Sequence, residues 1–272
     1  MSAILTVYPK RPWRLLLAQY PNEPALNVSL DEAIGESVGR GAVPPTVRLW
    51  ENGETLVLGR FELRDLDLAD GHFLNWAKTN DLALLRRVSG GQLVWQGPGA
   101  LNYSVCVPRQ EPYGIHRAYE TLSAGVVQAL TRWGLRCSFG RVPGAYCDGS
   151  HNLVIHQRKL AGTAQARRKG FILVHGTVLI DADWERILGL LTEFYRRAGQ
   201  ARSIRRAALT TLSEALGRPL TTDQAKTAFA AGYAEVLGLS GRWSPDAVPL
   251  PEELRRAREL AHQYSLSSPS PV

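Results

Sequence analysis

Residues 86–108 read RRVSGGQLVWQGPGALNYSVCVP, and apolar runs on both sides flank the turn Ser89-Gly90-Gly91. Glycine has no Cβ, so the backbone of such a turn can approach a ligand closely, and Arg87 beside it can supply fixed positive charge. Asn102 and Ser104 then alternate on one face of the following strand. Because a Ser-Gly-Gly turn is more often a hairpin turn than a binding loop, this pattern alone leaves both interpretations open.

A second segment, residues 143–165, reads PGAYCDGSHNLVIHQRKLAGTAQ and places a cysteine in a loop of small and polar residues. A loop cysteine such as Cys147 is more often exposed, and therefore reactive as a thiolate, than a strand cysteine such as Cys106. An unreactive Cys147 is equally consistent with the pattern. His151, four residues later, has the chemistry of a base, although a loop histidine more often only donates or accepts a hydrogen bond.

Two further pieces surround this segment. Lys159 lies on a predicted strand just before Ala161-Gly162-Thr163, where its apolar neighbours favour a partly desolvated ammonium that can donate to a carbonyl oxygen. The strand HGTVLI, residues 175–180, is interrupted by small residues. It therefore predicts a position where a larger side chain would collide with a ligand or a neighbouring strand.

The composition is that of a globular protein, with 272 residues, 44% hydrophobic and 21% charged. The N-terminal sequence has no signal-peptide cleavage site and no apolar stretch could span a bilayer, which predicts a soluble cytoplasmic protein without membrane contact. Three cysteines at unrelated spacings predict neither a metal site nor a disulfide framework. The formal charge of +7 favours an acidic protein partner over nucleic acid, because no aromatic platform is interleaved with the basic residues.

Strand patterns in the first two-thirds of the chain and helical patterns from about residue 184 predict an α+β fold with a helical C-terminal extension. Ser29, with Glu32 three residues later, predicts a capping box at the start of the first helix. Glu51-Asn52-Gly53 between two strand-like runs predicts a hairpin. Residues 115–134 predict a helix that stops at a glycine.

The same predictions continue towards the C-terminus. Three consecutive strands are expected over residues 153–180, and a later helix should begin at Thr221 or Thr222 and stop at Gly238. One more short helix and a frayed Ser/Pro-rich tail follow.

In this order, the motifs resemble those of the lipoate-protein ligase, octanoyltransferase and biotin-ligase superfamily. RRVSGGQLVWQGPGALNYS is similar to the family's RRxSGG…GxxNxS motif, RKLAGTAQ to its K-x-x-G-x-A-[QY] motif, and HGTVLI to its HGT-L-L strand. The similarity runs from about residue 30 to residue 239. The resemblance implies a central mixed β-sheet with flanking helices, and a catalytic domain over residues 1–240 followed by a C-terminal helix and flexible tail over residues 241–272.

The resemblance also implies an acyl-binding tunnel between the glycine turn and the Lys159 strand. Lys159 would hold the acyl carbonyl and stabilise the charge that develops on it. The remaining residues expected to bind the substrate are Arg87, Ser89, Gly90, Gly91, Asn102, Gly162, Thr163, Ala164, His175 and Gly176.

Within the superfamily, the cysteine-dependent octanoyltransferases and amidotransferases are the most similar, because Cys147 lies twelve residues before Lys159 in a matching loop. Their chemistry implies an acyl thioester on Cys147, an acyl carrier protein or a glycine-cleavage carrier protein as donor, and a lipoyl domain as acceptor. It implies no cofactor and no metal, and we expect a monomer. The choice between octanoyl and lipoyl groups stays open.

Two alternatives remain. The first is an ATP-dependent lipoate-protein ligase that forms an acyl-adenylate and requires ATP and Mg²⁺. Against it, Gln92 and Gln96-Gly97 depart from the ligase glycine motif, and His151-Asn152-Leu153 lacks the ligase aspartate. The second is a non-catalytic relative that binds an acyl group or a lipoyl domain.

Overall fold

A computed structural model describes residues 12–62, 72–110, 113–239 and 247–266. The predicted tail beyond residue 266 and the predicted domain boundary at residues 240–241 lie outside these residues. The strands are β1 (Arg14–Leu16), β2 (Thr46–Trp50), β3 (Thr55–Leu58), β4 (Ala83–Arg86), β5 (Val94–Gln96), β6 (Ala100–Pro108), β7 (Ser138–Gly140), β8 (Asn152–Ile155), β9 (Arg158–Arg167) and β10 (Phe171–Leu179). The helices are α1 (Pro24–Gly39), α2 (His72–Thr79), α3 (Ile115–Leu122), α4 (Ala124–Arg132), α5 (Trp184–Arg197), α6 (Leu212–Leu216), α7 (Thr222–Val236) and α8 (Pro251–Tyr264).

Seven strands form the main sheet, in the order β1-β2-β6-β10-β9-β8-β7. The β1–β2 pair is parallel and the other neighbours are antiparallel, so the sheet is mixed, as predicted. A separate three-stranded sheet has the order β4-β3-β5 and contains the apolar runs on both sides of the glycine turn. The α+β prediction is confirmed, and so is the helical C-terminal part.

Helices cover both faces of the main sheet. On one face, α1, α5 and α8 pack with the small sheet, and on the other face α3, α4 and α7 form a second hydrophobic cluster. Helix α8 packs along α1, where Arg256 pairs with Glu36 and the Ser29 hydroxyl donates to the Ala257 carbonyl. No helix among the described residues is long and apolar enough to cross a membrane.

The predicted capping box at Ser29 is wrong. Helix α1 begins at Pro24, whose fixed φ suits the first helical position and whose missing N–H costs nothing there. Ser29 therefore lies inside the helix, buried, and donates to the Leu26 carbonyl as well as to Ala257. Capping boxes do start α6 at Thr211 and α7 at Thr221, and the start of α7 at this position was predicted.

The predicted hairpin at residues 51–53 is also wrong. Strand β2 pairs with β1 and β6, whereas β3 pairs with β4 and β5, so the chain passes from one sheet to the other at this point. The buried Asn52 side chain accepts from Asn27 on α1 and donates to Gln96 on β5, so it links this helix to the small sheet. The single helix expected over residues 115–134 is two helices, α3 and α4, with Ser123 between them.

Candidate active site

The floor of the candidate site is one face of the main sheet. Strand register aligns Trp50, Asn102, Thr177 and Gly162 in one row across β2, β6, β10 and β9. Two residues along the strands, a second row contains Arg48, Ser104, His175 and Ala164. Because Gly162 and Ala164 have almost no side chain, other side chains can approach β9 closely here: a Cβ added at Gly162 would lie 3.3 Å from Lys159 Nζ and 3.8 Å from Val94. A small space remains beside them.

This space is a pocket whose roof comes from β5 and from the cysteine loop. Its lining residues are Trp50, Arg87, Val94, Gln96, Asn102, Tyr103, Cys147, Gly162, Thr163, Ala164, His175, Gly176 and Thr177. Its free volume is about 30 Å³, which holds one or two water molecules and is far below the volume of usual ligand pockets. A ligand larger than these waters therefore has to displace side chains of the wall as it enters.

The glycine turn owes its shape to Arg87, which is buried beneath it. The guanidinium donates to the carbonyls of Gly90 (2.7 Å) and Gln92 (2.9 Å) and, on the other side, to the Val57 carbonyl (2.8 Å). Gly91 has φ +90°, a conformation that favours glycine. These bonds hold the turn so that the backbone N–H of Gln92 donates to the sulfur of Cys147 at 3.3 Å.

Cys147 is buried, with 8% of its surface exposed, so the expectation of an exposed cysteine is wrong. The buried side chain nevertheless lines the pocket. Its backbone has φ +46°, which is uncommon for a non-glycine residue. The Cys147 carbonyl accepts three hydrogen bonds that hold this conformation, from the Gly149 N–H (2.9 Å), Asn152 Nδ2 (3.1 Å) and Lys159 Nζ (3.2 Å). Strained backbone of this kind often occurs where a side chain must be aimed.

Lys159 lies directly behind the cysteine loop, and only 1% of it is exposed. Its ammonium donates to the Tyr146 carbonyl (2.6 Å) and lies over the Tyr146 ring, in addition to its bond to Cys147. Burial lowers the pKa of Lys159 to about 8, although the charges of Cys147 and Asp148 act in the opposite direction. In this conformation Lys159 holds the backbone of the loop and is not part of the pocket wall.

Most residues predicted to bind substrate do line the pocket: Arg87, Asn102, Gly162, Thr163, Ala164, His175 and Gly176. Ser89, Gly90 and Gly91 form the turn behind the wall instead. His151 does not meet the cysteine as a base would: it hydrogen-bonds His116 and Ser150 and stacks on Tyr119.

The comparisons with known proteins identify the family of this chain. Residues 23–234 match the family model for the lipoyl protein ligase A/B catalytic domain. The chain belongs to this family. The curated relatives include an octanoyl-[GcvH]:protein N-octanoyltransferase from Kyrpidia tusciae, 37% identical over 74% of this chain and 72% of the relative. An octanoyltransferase LipM from Symbiobacterium thermophilum is 35% identical over 84% of this chain and 87% of the relative.

These relatives confirm the prediction of an acyltransferase, in the class of octanoyl transfer in protein lipoylation. Solved structures confirm the fold. A lipoate-protein ligase A bound with ATP has a TM-score of 0.74 at 24% identity, over 92% of this chain and 94% of that one. A bi-partite lipoate protein ligase from Thermoplasma acidophilum has a TM-score of 0.67 at 23% identity, over 92% of both chains.

The sequence analysis missed two residues of this lipoyl ligase fold that lie beneath the pocket, Asp31 and Arg48. They form an ion pair at 3.2 Å with both side chains almost fully buried. Asp31 also accepts hydrogen bonds from Ser104 and His175. The sequence feature that could have indicated them is a charged residue inside an apolar run: Asp31 in VSLDEAI on α1 and Arg48 in TVRLW on β2. Buried charges of this kind occur as pairs, and a pair inside a core often supports a functional site.

Proposed function

We propose that this protein transfers an octanoyl group from a carrier protein to a lysine of a lipoyl domain, through a thioester on Cys147. The observation that carries the proposal is the placement of Cys147. Its sulfur lines the pocket, its backbone is held at positive φ by three donors, and the Gln92 N–H points at the sulfur. An idle buried cysteine needs none of these arrangements.

In the first step, the Cys147 sulfur attacks the acyl carbonyl and its proton leaves with the carrier's leaving group. The side chains of Arg87 and Lys159 place positive charge near the Cys147 sulfur. The Gln92 N–H donates to the sulfur in the free protein, and during the reaction it would turn to the oxyanion that forms on the adjacent acyl carbon. One such donor contributes roughly 3–4 kcal/mol to the transition state in well-studied acyl transfer enzymes.

In the second step, the neutral amine of the acceptor lysine attacks the thioester. The new amide bond forms as the carbon–sulfur bond breaks, and the amine's proton replaces the acyl group on sulfur. Neither step uses a nucleotide or a metal, so the proposal includes no cofactor. Lys159 contributes by holding the loop carbonyls of Tyr146 and Cys147 and by its charge. It does not need to leave those bonds and reach the substrate.

The names of the relatives suggest two candidates for the acyl donor. The K. tusciae relative is named for an octanoyl-[GcvH] donor, which supports a glycine-cleavage carrier protein here. The LipM relatives are named only as octanoyltransferases, so an acyl carrier protein donor remains the second candidate. The excess of basic residues suits an acidic carrier in either case.

Octanoylation of a lipoyl domain tests this function. The protein is incubated with octanoyl-GcvH or with octanoyl acyl carrier protein, without ATP, and the lipoyl domain is weighed by mass spectrometry. We expect modification from one of these donors, none with Cys147→Ser, and unchanged modification with Cys137→Ser, whose cysteine lies away from the pocket. Modification only from free octanoate plus ATP would identify a ligase and reject the proposal.

A further inference from the structure

A chain of four side chains connects the main sheet to the glycine turn. The Asp31 carboxylate lies 3.0 Å from His175 Nδ1, and His175 Nε2 lies 2.6 Å from the Ser89 hydroxyl. The same hydroxyl is 3.0 Å from Arg87 Nε. Asp31 and Ser89 are almost fully buried, and His175 reaches the pocket wall.

The direction of each bond follows from what the groups can donate. The Asp31 carboxylate can only accept, so His175 Nδ1 donates to it, and in this tautomer Nε2 accepts the proton of the Ser89 hydroxyl. Arg87 Nε can only donate, and the Ser89 oxygen accepts from it. Burial acts to raise the pKa of Asp31, but the His175 hydrogen bond and the Arg48 charge outweigh it and hold that pKa below its usual value. The carboxylate is therefore a fixed acceptor.

The glycine turn is supported on one side and open on the other. The Gly59 backbone packs against Gly91, and the Arg60 N–H donates to the Ser89 carbonyl, whereas a Cβ added at Gly90 would find no atom within 4 Å. The bonds from Arg87 to the Gly90 and Gln92 carbonyls hold the rest of the turn. Ser89 in turn fixes the rotation of the Arg87 guanidinium. A guanidinium that lost this acceptor would leave a buried donor unpaired and would turn to find another.

We propose that His175, oriented by Asp31, is a positioning residue that acts through Ser89 and Arg87 to keep the Gln92 N–H directed at the Cys147 sulfur. The inference rests on the proposed function, since it concerns the rate at which Cys147 is acylated. The order Ser–His–Asp resembles that of a serine nucleophile with its base, but the Ser89 hydroxyl is 1% exposed and does not line the pocket. It transmits geometry and does not attack substrate.

Two substitutions of His175 test its hydrogen bond to Asp31 and its hydrogen bond to Ser89 separately. In His175→Gln, the amide oxygen can accept from Ser89 as Nε2 does. In His175→Asn, the shorter amide can donate to Asp31 as Nδ1 does but does not reach Ser89. Single-turnover acylation of Cys147 by the octanoyl carrier protein is followed by intact mass, at several donor concentrations, so that the limiting rate and the half-saturating concentration are both obtained.

We expect His175→Asn and Ser89→Ala to lower the limiting rate about tenfold or more with little change in half-saturation, because the Gln92 N–H stabilises the transition state and makes no contact needed to bind the carrier protein. His175→Gln should recover most of that rate. Combining Ser89→Ala with His175→Asn should cost no more than either alone, since both break one chain. Ser29→Ala, which removes a different buried hydroxyl on α1, is the matched control and should acylate normally.

Three results would overturn the inference. Ser89→Ala could acylate at the wild-type rate, or Asn could serve at position 175 as well as Gln. Alternatively, His175 substitutions could alter only the preference among hexanoyl, octanoyl and decanoyl donors, which would make His175 a wall of the acyl pocket and nothing more. Absence of any adduct on the wild-type protein would reject the proposed function itself and this inference with it.

Discussion

The backbone N–H of Gln92 donates to the sulfur of Cys147 across 3.3 Å, although the two residues are 55 positions apart in the sequence. This contact joins the glycine turn, which belongs to the small sheet, to the cysteine loop, which Lys159 holds on the main sheet. The donor is a backbone group, so the Gln92 side chain is not required for it. What matters is the shape of the turn and the conformation of the loop.

Substitution of Gly91 should disturb this contact directly. In Gly91→Ala, the new Cβ would lie 2.8 Å from Arg87 Nη2 and 3.6 Å from the Cys147 sulfur, at a φ of +90°. We expect the acylation rate to fall about tenfold or more, since small misplacements at a reacting centre cost that much. The free energy of unfolding should fall by roughly 1–2 kcal/mol from the backbone strain. Single-turnover mass spectrometry and urea unfolding measure the two effects.

Gly189→Ala provides the matched control for that glycine. It lies on the exposed side of α5, where an added Cβ would meet nothing within 4 Å. We expect unchanged acylation and a gain in stability of up to about 1 kcal/mol, from helix propensity. Equal losses in both variants would show that the Gly91 effect is not specific to the turn.

The buried ammonium of Lys159 should make stability depend on alkaline pH. Its pKa is lowered to about 8 in the folded protein and is about 10.4 when unfolded, so between these values the unfolded state binds the extra proton. The contribution of Lys159 to stability therefore rises with pH through this window, by roughly 2–3 kcal/mol between pH 7 and pH 10. Urea unfolding of the wild type and of Lys159→Met at both pH values gives this difference after other titrations cancel.

The stability difference between wild type and Lys159→Met could instead be the same at pH 7 and pH 10. The pKa of Lys159 would then be the same in the folded and the unfolded protein. The side chain would then be hydrated, contrary to the burial seen here. In either case, Lys159→Met should acylate slowly, because the Tyr146 carbonyl loses its ammonium donor and the Cys147 carbonyl loses one of its three donors.

The ion pair beneath the pocket should be costly to break. Arg48→Met leaves the Asp31 carboxylate buried without its cation, and we expect the free energy of unfolding to fall by about 3–5 kcal/mol. Arg256→Met removes a far more exposed pair with Glu36 and should cost at most about 1 kcal/mol. Urea unfolding compares the two, and similar small losses would mean that water reaches Asp31 after the substitution.

The sequence predicted the parts of this protein that depend on local signals. Alternating strands with tight turns predicted β8, β9 and β10, and Thr221 and Gly238 marked the ends of the α7 segment. The glycine turn and Cys147 were identified because the glycine, lysine and HGT motifs occur in the order found in the superfamily. Their relationship in space, with Gln92 N–H facing the sulfur, has no local signal.

The wrong predictions were decided by distant partners. Asn52 looked like a hairpin residue, yet its side chain joins Asn27 and Gln96 from different elements. Ser29 looked like a cap, yet its hydroxyl bonds a carbonyl 228 residues away. Asp31 was missed for the same reason. Its role as the partner of Arg48 and His175 follows only from the fold, in which β2 and β10 bring these two residues beside it.

The most direct test of the central claim is the isolation of the acyl-enzyme. The protein is mixed with octanoyl carrier protein without ATP, freed of the donor by gel filtration, weighed intact, and then given a lipoyl domain. We predict a gain of one octanoyl group that maps to Cys147, and its transfer to the lipoyl domain in a single turnover. A protein that modifies the lipoyl domain while never carrying the acyl group, or that carries it elsewhere than on Cys147, would contradict this account.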